Sequence, residues 1–514
     1  MALVGRGLPV TMVDGGGELD PATASAVKRL HAIDPSLWRG PETSFLRRNV
    51  APDRKGVGVK YVYGSDYPYR DAERFLPMSK EGCDTTVSFA VGGFSNVWGA
   101  TILPYLAEDT RDWPFPIADL GPHYRNVLSF VDSSIEQDEL AGLFPTYSGG
   151  GQALRRSRQA EALLADLRRS REHLKGEGIE FGAARLAVRS ASLPERPGCA
   201  YCGLCMYGCP YGLIYSSAST LRVLSSNPLF KYVSGAIVER ISESKDAVVV
   251  RGRRRDDSPF EFKADRVYVA AGAISSTRIL LKSLEAYDRP VMLRDSQYFL
   301  FPLLRHARER GVAEEALHTL SQLFLEIRDP ATSPNSVHLQ VYTYNDLYAA
   351  AIGKSVGAAA RWLGWATGPI IERMLIVQGY LHSDHSASIE MSLERRQDGG
   401  DLMHLNARKE DGDKAEAMMK RVVQKIAGNS SRLKATPLGF LRQRTLPGRG
   451  FHSGGTFPMR NRPGQFESDV LGRPLGFSKV HVVDSSVFPS IPATTITFSV
   501  MANAHRIAIQ SHGG

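Results

Sequence analysis

The chain has 514 residues, of which 43% are apolar, so it is long enough for two or more domains. Its 48 Gly and 29 Pro indicate a globular protein with many turns and exclude a fibrous or disordered chain. The formal charge of +9 is a mild bias at this length, and the basic run at 251–255 lacks interleaved aromatic residues. No nucleic-acid partner is therefore expected.

The first predicted strand is Leu8–Asp14, which ends in an acid and is followed by three glycines. In a dinucleotide-binding fold, such a strand comes after an earlier strand and a GxGxxG turn. No segment of the sequence supplies that turn, and we interpret this as a start codon placed inside the first helix. The sequence as given is expected to lack one central parallel strand and the helix N-terminus that neutralises pyrophosphate. Dinucleotide binding is therefore predicted to be weak or absent.

Several later segments are typical of a nucleotide-binding α/β fold. In CDTTVSFAVGGFSNVWGA at 83–100, Gly92 and Gly93 let the backbone approach a ligand closely. From Phe230, three strand-like segments lead into VYVAAGAISSTRILL, which predicts a buried strand, a glycine turn and a capped helix. The C-terminal part returns to this pattern with a strand at Val480–Asp484 and a helix at Phe498–Ile509.

Residues 295–444 have a different pattern. Helical stretches alternate there with SVHLQVYTYN and ERMLIVQGYLHSDHSASIEMSLER, in which apolar and polar residues alternate as they do in strands. An antiparallel sheet with helices is predicted for this part. Because nucleotide-type segments occur on both sides of it, the two domains are expected to be nested.

Four of the five cysteines, Cys199, Cys202, Cys205 and Cys209, lie in one CxxCxxCxxxCP run. This is the spacing of bacterial ferredoxins, in which clustered thiolates surround iron and sulfur. A single run can hold a [3Fe–4S] cluster through three thiolates or a [4Fe–4S] cluster through four, with Cys83 as a remote candidate ligand. Zinc and reduced structural thiols are the alternatives.

Taken in order, the segments VTMVDGGGE, VGGFSNVWGA, VAAGAISSTRILLKS, GFHSGGTFPM and VVDSSVFPSIPATT resemble the glucose–methanol–choline (GMC) family of flavin-dependent oxidoreductases. The resemblance covers nearly the whole chain. It implies an α/β fold with a Rossmann-like FAD domain, here without its first strand and GxGxxG turn, and a nested α+β substrate domain on an antiparallel sheet. The expected FAD domain comprises 1–110, 199–290 and 445–514, and the expected substrate domain comprises 111–198 and 291–444.

The resemblance also implies which residues contact FAD. Asp14 is expected at the adenosine ribose, Val238 at the adenine through its backbone, and Asp484 near the ribityl chain. The residues expected along the pyrophosphate, the flavin and the nucleotide are Gly92, Gly93, Ser95, Asn96, Ala271 and Gly272.

His452 matches the active-site histidine of the family. An imidazole with a near-neutral pKa can accept the hydroxyl proton of an alcohol while flavin N5 takes the hydride. The second active-site position of the family, usually His or Asn, falls on Thr495, which cannot act as an acid–base partner near neutrality. A compensating residue could come from the substrate domain, but the sequence does not name it.

The spacing of Cys199, Cys205 and Cys209 is similar to that in flavoprotein subunits of bacterial sugar and polyol dehydrogenases of this family, and Cys202 is extra. The resemblance implies that electrons leave the flavin through an iron–sulfur cluster to a cytochrome, a quinone or a small subunit. We therefore expect a dehydrogenase that oxidises an alcohol group of a sugar, a polyol or a lipophilic alcohol. The contrasting hypothesis is a flavin-free, non-catalytic relative that serves as a binding or electron-transfer subunit.

The sequence as given carries no export signal, which leaves a cytoplasmic and a periplasmic location both open. The segment most like a membrane contact is Tyr348–Ile371, an apolar stretch with two Trp and with the charges of Lys354 and Arg361. A buried helix pair and a membrane- or lipid-facing flap are the two interpretations of this segment.

Overall fold

The computed structural model describes residues 1–38, 40–48, 59–148, 152–192, 196–347 and 364–512. The helices are α1 (Ala2–Gly5), α2 (Pro21–His31), α3 (Gly40–Ser44), α4 (Ala72–Phe75), α5 (Gly121–Leu128), α6 (Arg158–Arg169), α7 (Arg171–Gly176), α8 (Ser217–Leu224), α9 (Ala273–Ser283), α10 (Gly364–Ile371), α11 (Lys409–Gly428), α12 (Ser430–Leu433) and α13 (Ile496–Gln510).

The strands are β1 (Val10–Val13), β2 (Met78–Glu81), β3 (Ile179–Ala183), β4 (Phe230–Val233), β5 (Ala236–Glu243), β6 (Val248–Arg254), β7 (Pro259–Ala264), β8 (Val267–Val269), β9 (Val291–Asp295), β10 (Tyr298–Arg305), β11 (Leu323–Ile327), β12 (Val337–Tyr342), β13 (Met374–Tyr380), β14 (Ile389–Arg395), β15 (Asp401–Ala407), β16 (Ala435–Pro437), β17 (Gln443–Arg444), β18 (Ser453–Gly454) and β19 (Val480–Val482). The predicted combination of an α/β fold with an antiparallel sheet is confirmed, because parallel and antiparallel strands occur together.

The largest sheet has seven strands in the order β16-β10-β13-β12-β11-β3, with β17 also paired to β10. Successive side chains of a strand point to opposite faces, so this sheet has two different surfaces. One face is apolar and packs against α6 and α11, burying side chains such as Phe301, Leu339 and Val377. Burial of this face supplies the hydrophobic free energy that holds the two helices on the sheet.

The opposite face of the same sheet is polar, and it is buried as well. One row across it pairs Glu326 with His338, His338 with Tyr380, and Tyr380 with Tyr298. The next row contains Gln340 opposite Gln378. We call this surface the polar face. Because buried polar groups are costly unless they are hydrogen-bonded, the side chains of this face are constrained to satisfy one another or a ligand.

The parallel strands form two pairs. β1 pairs with β4, and β8 pairs with β19, and no strand within the described ranges joins the two pairs into one sheet. This arrangement is what a parallel sheet without its central strand would leave. Beside these pairs lie the antiparallel β5-β6-β7 sheet and the five-stranded β18-β9-β14-β15-β2 sheet. The proposed domain boundaries stay a prediction.

The strand predicted to run through 372–395 is interrupted. A short 3-10 helix at Ser383–His385 separates β13 from β14, and the ring of His382 accepts a hydrogen bond from the Asp384 amide at 3.1 Å. This hydrogen bond from a nearby backbone amide replaces a bond to a neighbouring strand, so the strand ends here.

The segment interpreted as a membrane contact, 348–371, is described only in its last third. Residues 348–363 lie outside the described residues, and 364–371 form α10. Within the ranges that the structure describes, none of the helices combines the length and the apolar character needed to cross a membrane.

Candidate functional site

The loop that carries His452 is fixed by a buried carboxylate at the end of β9. The Gly448 amide donates to one oxygen of Asp295 at 2.9 Å, and the Ser453 hydroxyl donates to the other at 2.7 Å. The Ser296 amide donates to the carbonyl of His452 at 2.9 Å. Burial raises the pKa of Asp295 to about 6. Asp295 therefore sets the position of the loop without contributing to its solvent-exposed surface.

The imidazole of His452 lies against the polar face of the large sheet. It stacks on the ring of Tyr380 with 4.9 Å between centroids and 20° between planes. Burial, and secondly the neighbouring His338, lower the pKa of His452 to about 4. Its Nδ1 is buried and has no hydrogen-bond partner among the residues that the structure describes. A neutral imidazole with a buried, unused ring nitrogen can accept a proton from a bound molecule.

Thr495 is tied to the backbone. Its hydroxyl donates to the carbonyl of Thr101 at 3.0 Å, and its side chain is buried. The same segment meets strand β12: a Cβ placed on Gly99 would lie 3.7 Å from the hydroxyl of Tyr342 and 4.0 Å from that of Thr101. The polar face thus comes close to Gly99, two residues before the carbonyl that holds Thr495.

Asp484, Ala271 and Gly272 come together at the ends of the parallel pair β8–β19. The Gly272 amide donates to Asp484 Oδ2 at 2.9 Å, and the Ser276 hydroxyl donates to the same oxygen at 2.5 Å. The Ala271 amide donates to the Ser276 hydroxyl at 3.2 Å. Gly272 has φ +85°, and its missing Cβ would meet no atom within 4 Å. A ligand can therefore approach this backbone, which a side chain would block.

Asp14 and Val238 lie near one another at the other parallel pair. Asp14 Oδ1 accepts from the Gly16 amide at 2.7 Å and from the Tyr232 hydroxyl at 2.9 Å, and burial raises the pKa of Asp14. The carbonyl of Asp14 accepts from the amide of Ala236, the first residue of the strand that contains Val238. The two residues expected at the adenosine end therefore belong to adjoining backbone segments.

The turn at Gly92 and Gly93 is built on left-handed backbone, with φ +86° and +53°. Asn96 donates to the carbonyls of Val91 and Gly93 at 2.9 and 2.8 Å and accepts from the Ser216 hydroxyl at 2.9 Å. The Ser95 hydroxyl lies 3.0 Å from that of Ser217. The side chains of Ser95 and Asn96 thus hold the turn onto α8, and their contact with a flavin stays a prediction.

The residues present fit the two ends of a flavin nucleotide. Two buried or half-buried acids, and glycines with open space at Gly93 and Gly272, lie where the motifs place them. The described residues contain no GxGxxG turn for the pyrophosphate. Asp14 and Val238 would hold the adenosine part, and Asp484, Gly272 and the Gly92–Gly93 turn would hold the remainder.

The four clustered cysteines lie in one half-buried loop. The loop is tied down by the Gly203 amide, which donates to the Leu317 carbonyl at 3.1 Å, and by the Tyr63 hydroxyl, which donates to the Cys209 carbonyl at 3.0 Å. Burial, with a smaller contribution from the neighbouring Cys205, raises the pKa of Cys199 and of Cys202 to about 12. Cys199 and Cys202 therefore lie near enough to Cys205 for its charge to affect them, and burial disfavours their thiolate forms.

Across the described part of the chain, no group of three or more His, Cys, Asp or Glu side chains is placed to hold a metal ion. Cys83, the remote candidate ligand, is buried elsewhere and donates to the Leu405 carbonyl at 3.4 Å. The ferredoxin spacing is thus present in the sequence, and the cluster itself stays a prediction.

Comparison with known proteins was made on both sequence and structure. Residues 85–285 match the family model of the GMC oxidoreductases. Over this part of its length the chain is similar to the GMC oxidoreductases. The resemblance carried by the sequence motifs is confirmed, and with it the prediction of an FAD-dependent oxidoreductase. A search of the curated proteins gave no match.

Two solved structures share the fold of this chain. Pyridoxine 4-oxidase from Mesorbium loti superposes with a TM-score of 0.56 at 15% identity, covering 100% of this chain and 96% of the other. Formate oxidase gives a TM-score of 0.56 at 14% identity, covering 98% of this chain and 97% of the other. At such identities the likeness concerns the fold alone.

Several side chains around His452 were not predicted from the sequence. Asp295 is the last residue of β9, and no motif in the sequence around it indicates a functional role. His338, Gln340 and Tyr342 carried a usable signal, because they alternate with buried apolar residues along one strand. Polar residues at every second position of a strand that is buried throughout indicate a second, polar interior surface.

We expect the NMR titration of the histidine ring protons to show His452 protonating near pH 4, below the ordinary value of 6.5. Between these two values the unfolded chain binds a proton that the folded chain does not. The contribution of His452 to stability is therefore complete above the higher value and falls as the pH is lowered through this window. The signal is assigned by its loss in His452→Gln, and titration near the ordinary value would contradict the buried, neutral ring.

Proposed function

We propose that this GMC oxidoreductase oxidises an alcohol group of a small molecule, with His452 as the base. The observation that supports this most is the half-buried imidazole of His452, which stacks on Tyr380 of the polar face and has a lowered pKa. Its Nδ1 is buried and has no hydrogen-bond partner among the described residues. An alcohol gives up a hydride more easily as its hydroxyl proton leaves, so the reaction needs a proton acceptor beside the reacting carbon.

The chain's own residues account for the proton transfer and the positioning. FAD, when bound, accepts the hydride that leaves the carbon of the alcohol. His452 takes the hydroxyl proton at Nδ1, so that the O–H and C–H bonds break and a carbonyl forms. Asp295 keeps the loop of His452 in place through its bonds to Gly448 and Ser453. Burial of Nδ1 keeps solvent water from competing for that nitrogen.

The substrate classes predicted from the sequence are sugars, polyols and lipophilic alcohols. The polar face presents His338, Gln340 and Gln378 beside the ring of Tyr380. Side chains of this kind suit a molecule with several hydroxyl groups better than an aliphatic one. The names of the two structural neighbours, pyridoxine 4-oxidase and formate oxidase, also refer to small polar compounds. A sugar, a polyol or a ring-bearing polar alcohol is therefore the preferred proposal.

The test is anaerobic reduction of the FAD-loaded protein by glucose, sorbitol, pyridoxine and 1-octanol, followed by loss of the oxidised flavin absorbance. We expect at least one polar alcohol to reduce the flavin. His452→Gln should slow this by roughly 100-fold or more, the usual contribution of a general base. The matched control is His306→Gln, an exposed ring on Thr436, which should reduce at the wild-type rate. Equal rates in the two variants would remove His452 from the base role.

We further propose that electrons leave this dehydrogenase through a cluster held by the cysteine run, to a cytochrome, a quinone or a small subunit. The CxxCxxCxxxCP spacing and the mutual proximity of the thiols support it. Protonated thiols with raised pKa values would have to release their protons when a metal binds, so assembly would change their arrangement. No step of the alcohol chemistry above depends on this proposal.

Metal analysis of anaerobically purified protein tests the cluster. We expect iron in the wild type, loss of iron in Cys209→Ser, and retention in Cys202→Ser, because the related spacing uses the other three thiols. Cys83→Ser, which alters a buried thiol outside the run, is the control and should keep the iron. Zinc in place of iron, or equal iron in Cys209→Ser and the wild type, would contradict the proposal.

A further inference from the structure

Phe440 is the most exposed large apolar side chain among the described residues, with 83% of its surface accessible to solvent. The neighbouring Leu441 and the nearby Leu446 are 47% and 49% exposed. All three belong to residues 438–446, which we call the edge loop. Single exposed apolar residues are ordinary on a protein surface, whereas several of them in one short loop indicate a site of interaction.

The base of the edge loop is fixed and its tip is free. β16 and β17 both pair with β10 at the edge of the seven-stranded sheet, and the loop connects them. The Leu438 amide donates to the Pro302 carbonyl at 2.8 Å. A 3-10 turn at Gly439–Leu441 follows, and a Cβ placed on Gly439 would lie 2.9 Å from Val423 of α11. The turn therefore rests on the sheet and on α11 while the ring of Phe440 points to solvent.

Exposed basic side chains lie on both sides of this tip along β10. The carbonyl of Lys434 accepts from the His306 amide at 2.9 Å, and Arg444 pairs with Phe299. At the rise of a strand, these two positions are roughly 20 Å apart. Arg444 donates to the Gly412 carbonyl at 3.3 Å, and no acid among the described residues forms a salt bridge with either cation.

The surrounding sequence adds no negative charge to the edge loop. Residues 429–466 contain neither Asp nor Glu. The third cation of this segment, Arg442, is bonded to Glu416 of α11, which also lies 3.8 Å from Lys420. The edge loop therefore presents an apolar tip between uncompensated positive charges, which is complementary to an anionic surface.

The size of the apolar tip favours a bilayer over a second protein. A stable protein interface buries about 800 Å² on each partner. An aromatic side chain buries only about 150–250 Å², so one Phe and two Leu are too few to form such an interface. At a membrane surface, by contrast, a few apolar side chains can enter the boundary between headgroups and acyl chains while Lys and Arg remain at the lipid phosphates.

We propose that the edge loop docks this chain on the surface of a bilayer that contains anionic lipids. Phe440 and Leu441 enter the headgroup region, and Lys434 and Arg444 contact the lipid phosphates. The edge loop ends six residues before His452, so the contact lies close in the chain to the candidate active-site loop. The inference does not depend on the proposed alcohol oxidation, because membrane binding can be measured without a substrate.

Co-sedimentation of the full-length chain, supplied with FAD, with phospholipid vesicles tests the apolar tip. The wild type should bind vesicles of phosphatidylcholine and phosphatidylglycerol. Phe440→Ser should lower the partition coefficient roughly 10-fold, the effect of one large apolar side chain, and Leu441→Ser should lower it less. The matched control is Leu475→Ser, a leucine of 52% exposure beside an Arg473–Asp469 ion pair, which should bind as the wild type does.

The same assay tests the contribution of charge. Raising the salt concentration from 0.1 to 1 M shortens the screening length from about 10 to about 3 Å and should release the wild type from the vesicles. Lys434→Gln should weaken binding about 3- to 5-fold at the lower salt concentration. Lys28→Gln, which removes an exposed lysine of α2, is the control and should leave binding unchanged.

The proposal requires loss of binding in Phe440→Ser, retention in Leu475→Ser and release by salt. A wild type that stays unbound at 0.1 M salt would overturn it, and so would equal binding of Phe440→Ser and the wild type. A dimer in solution that Phe440→Ser converts to a monomer, without vesicle binding, would instead assign the edge loop to a second copy of this chain. Each of these outcomes leaves the flavin-reduction test of the proposed function unaffected.

Discussion

Burial of a polar sheet face is the constraint on which the site depends. Each hydrogen-bonding group that is buried without a partner costs about 1–3 kcal/mol, so the side chains of this face must be paired within the protein or by a ligand. Glu326 pairs with His338, Gln340 with Tyr342, and Gln378 with Tyr380. The apolar face of the same strands packs on helices α6 and α11 and keeps the sheet from shifting. These contacts hold the side chains of the polar face in one arrangement, and His452 stacks on one of them, Tyr380.

Two buried carboxylates join segments that are far apart in the sequence. Asp295 accepts from Gly448 and Ser453 and thereby fixes the loop of His452 against β9. Asp484 accepts from Gly272 and Ser276 and joins the C-terminal segment to the turn after β8. Burial raises the pKa of both acids, and hydrogen bonds from amides and hydroxyls oppose that rise. Segments that are far apart in the sequence are thus held together by carboxylates that accept hydrogen bonds from backbone amides and side-chain hydroxyls.

Local patterns made much of the fold predictable. The strands at 8–14 and 480–484 and the C-terminal helix occur within two or three residues of their expected bounds, because each has strong periodicity and clear ends. The side-chain contacts of the polar face were not predictable, since they depend on the strand register that places His338 opposite Glu326 and Tyr380. The cysteine spacing predicts a cluster, which stays a prediction, because the described residues do not place three or more ligands around one point. Spacing fixes which residues are near in sequence, whereas ligand geometry depends on how the loop closes.

An FAD titration of the purified protein, followed by flavin fluorescence, tests directly whether Asp14, Gly272 and Asp484 hold a flavin nucleotide. Saturable quenching is predicted, weak because no GxGxxG turn receives the pyrophosphate. Gly272→Val should abolish the quenching, since φ +85° is closed to a branched residue and the side chain would fill the open space. Gly399→Val imposes the same backbone strain at φ +81° in an exposed turn and should leave quenching unchanged. No quenching in the wild type, or equal quenching in Gly272→Val, would contradict the account.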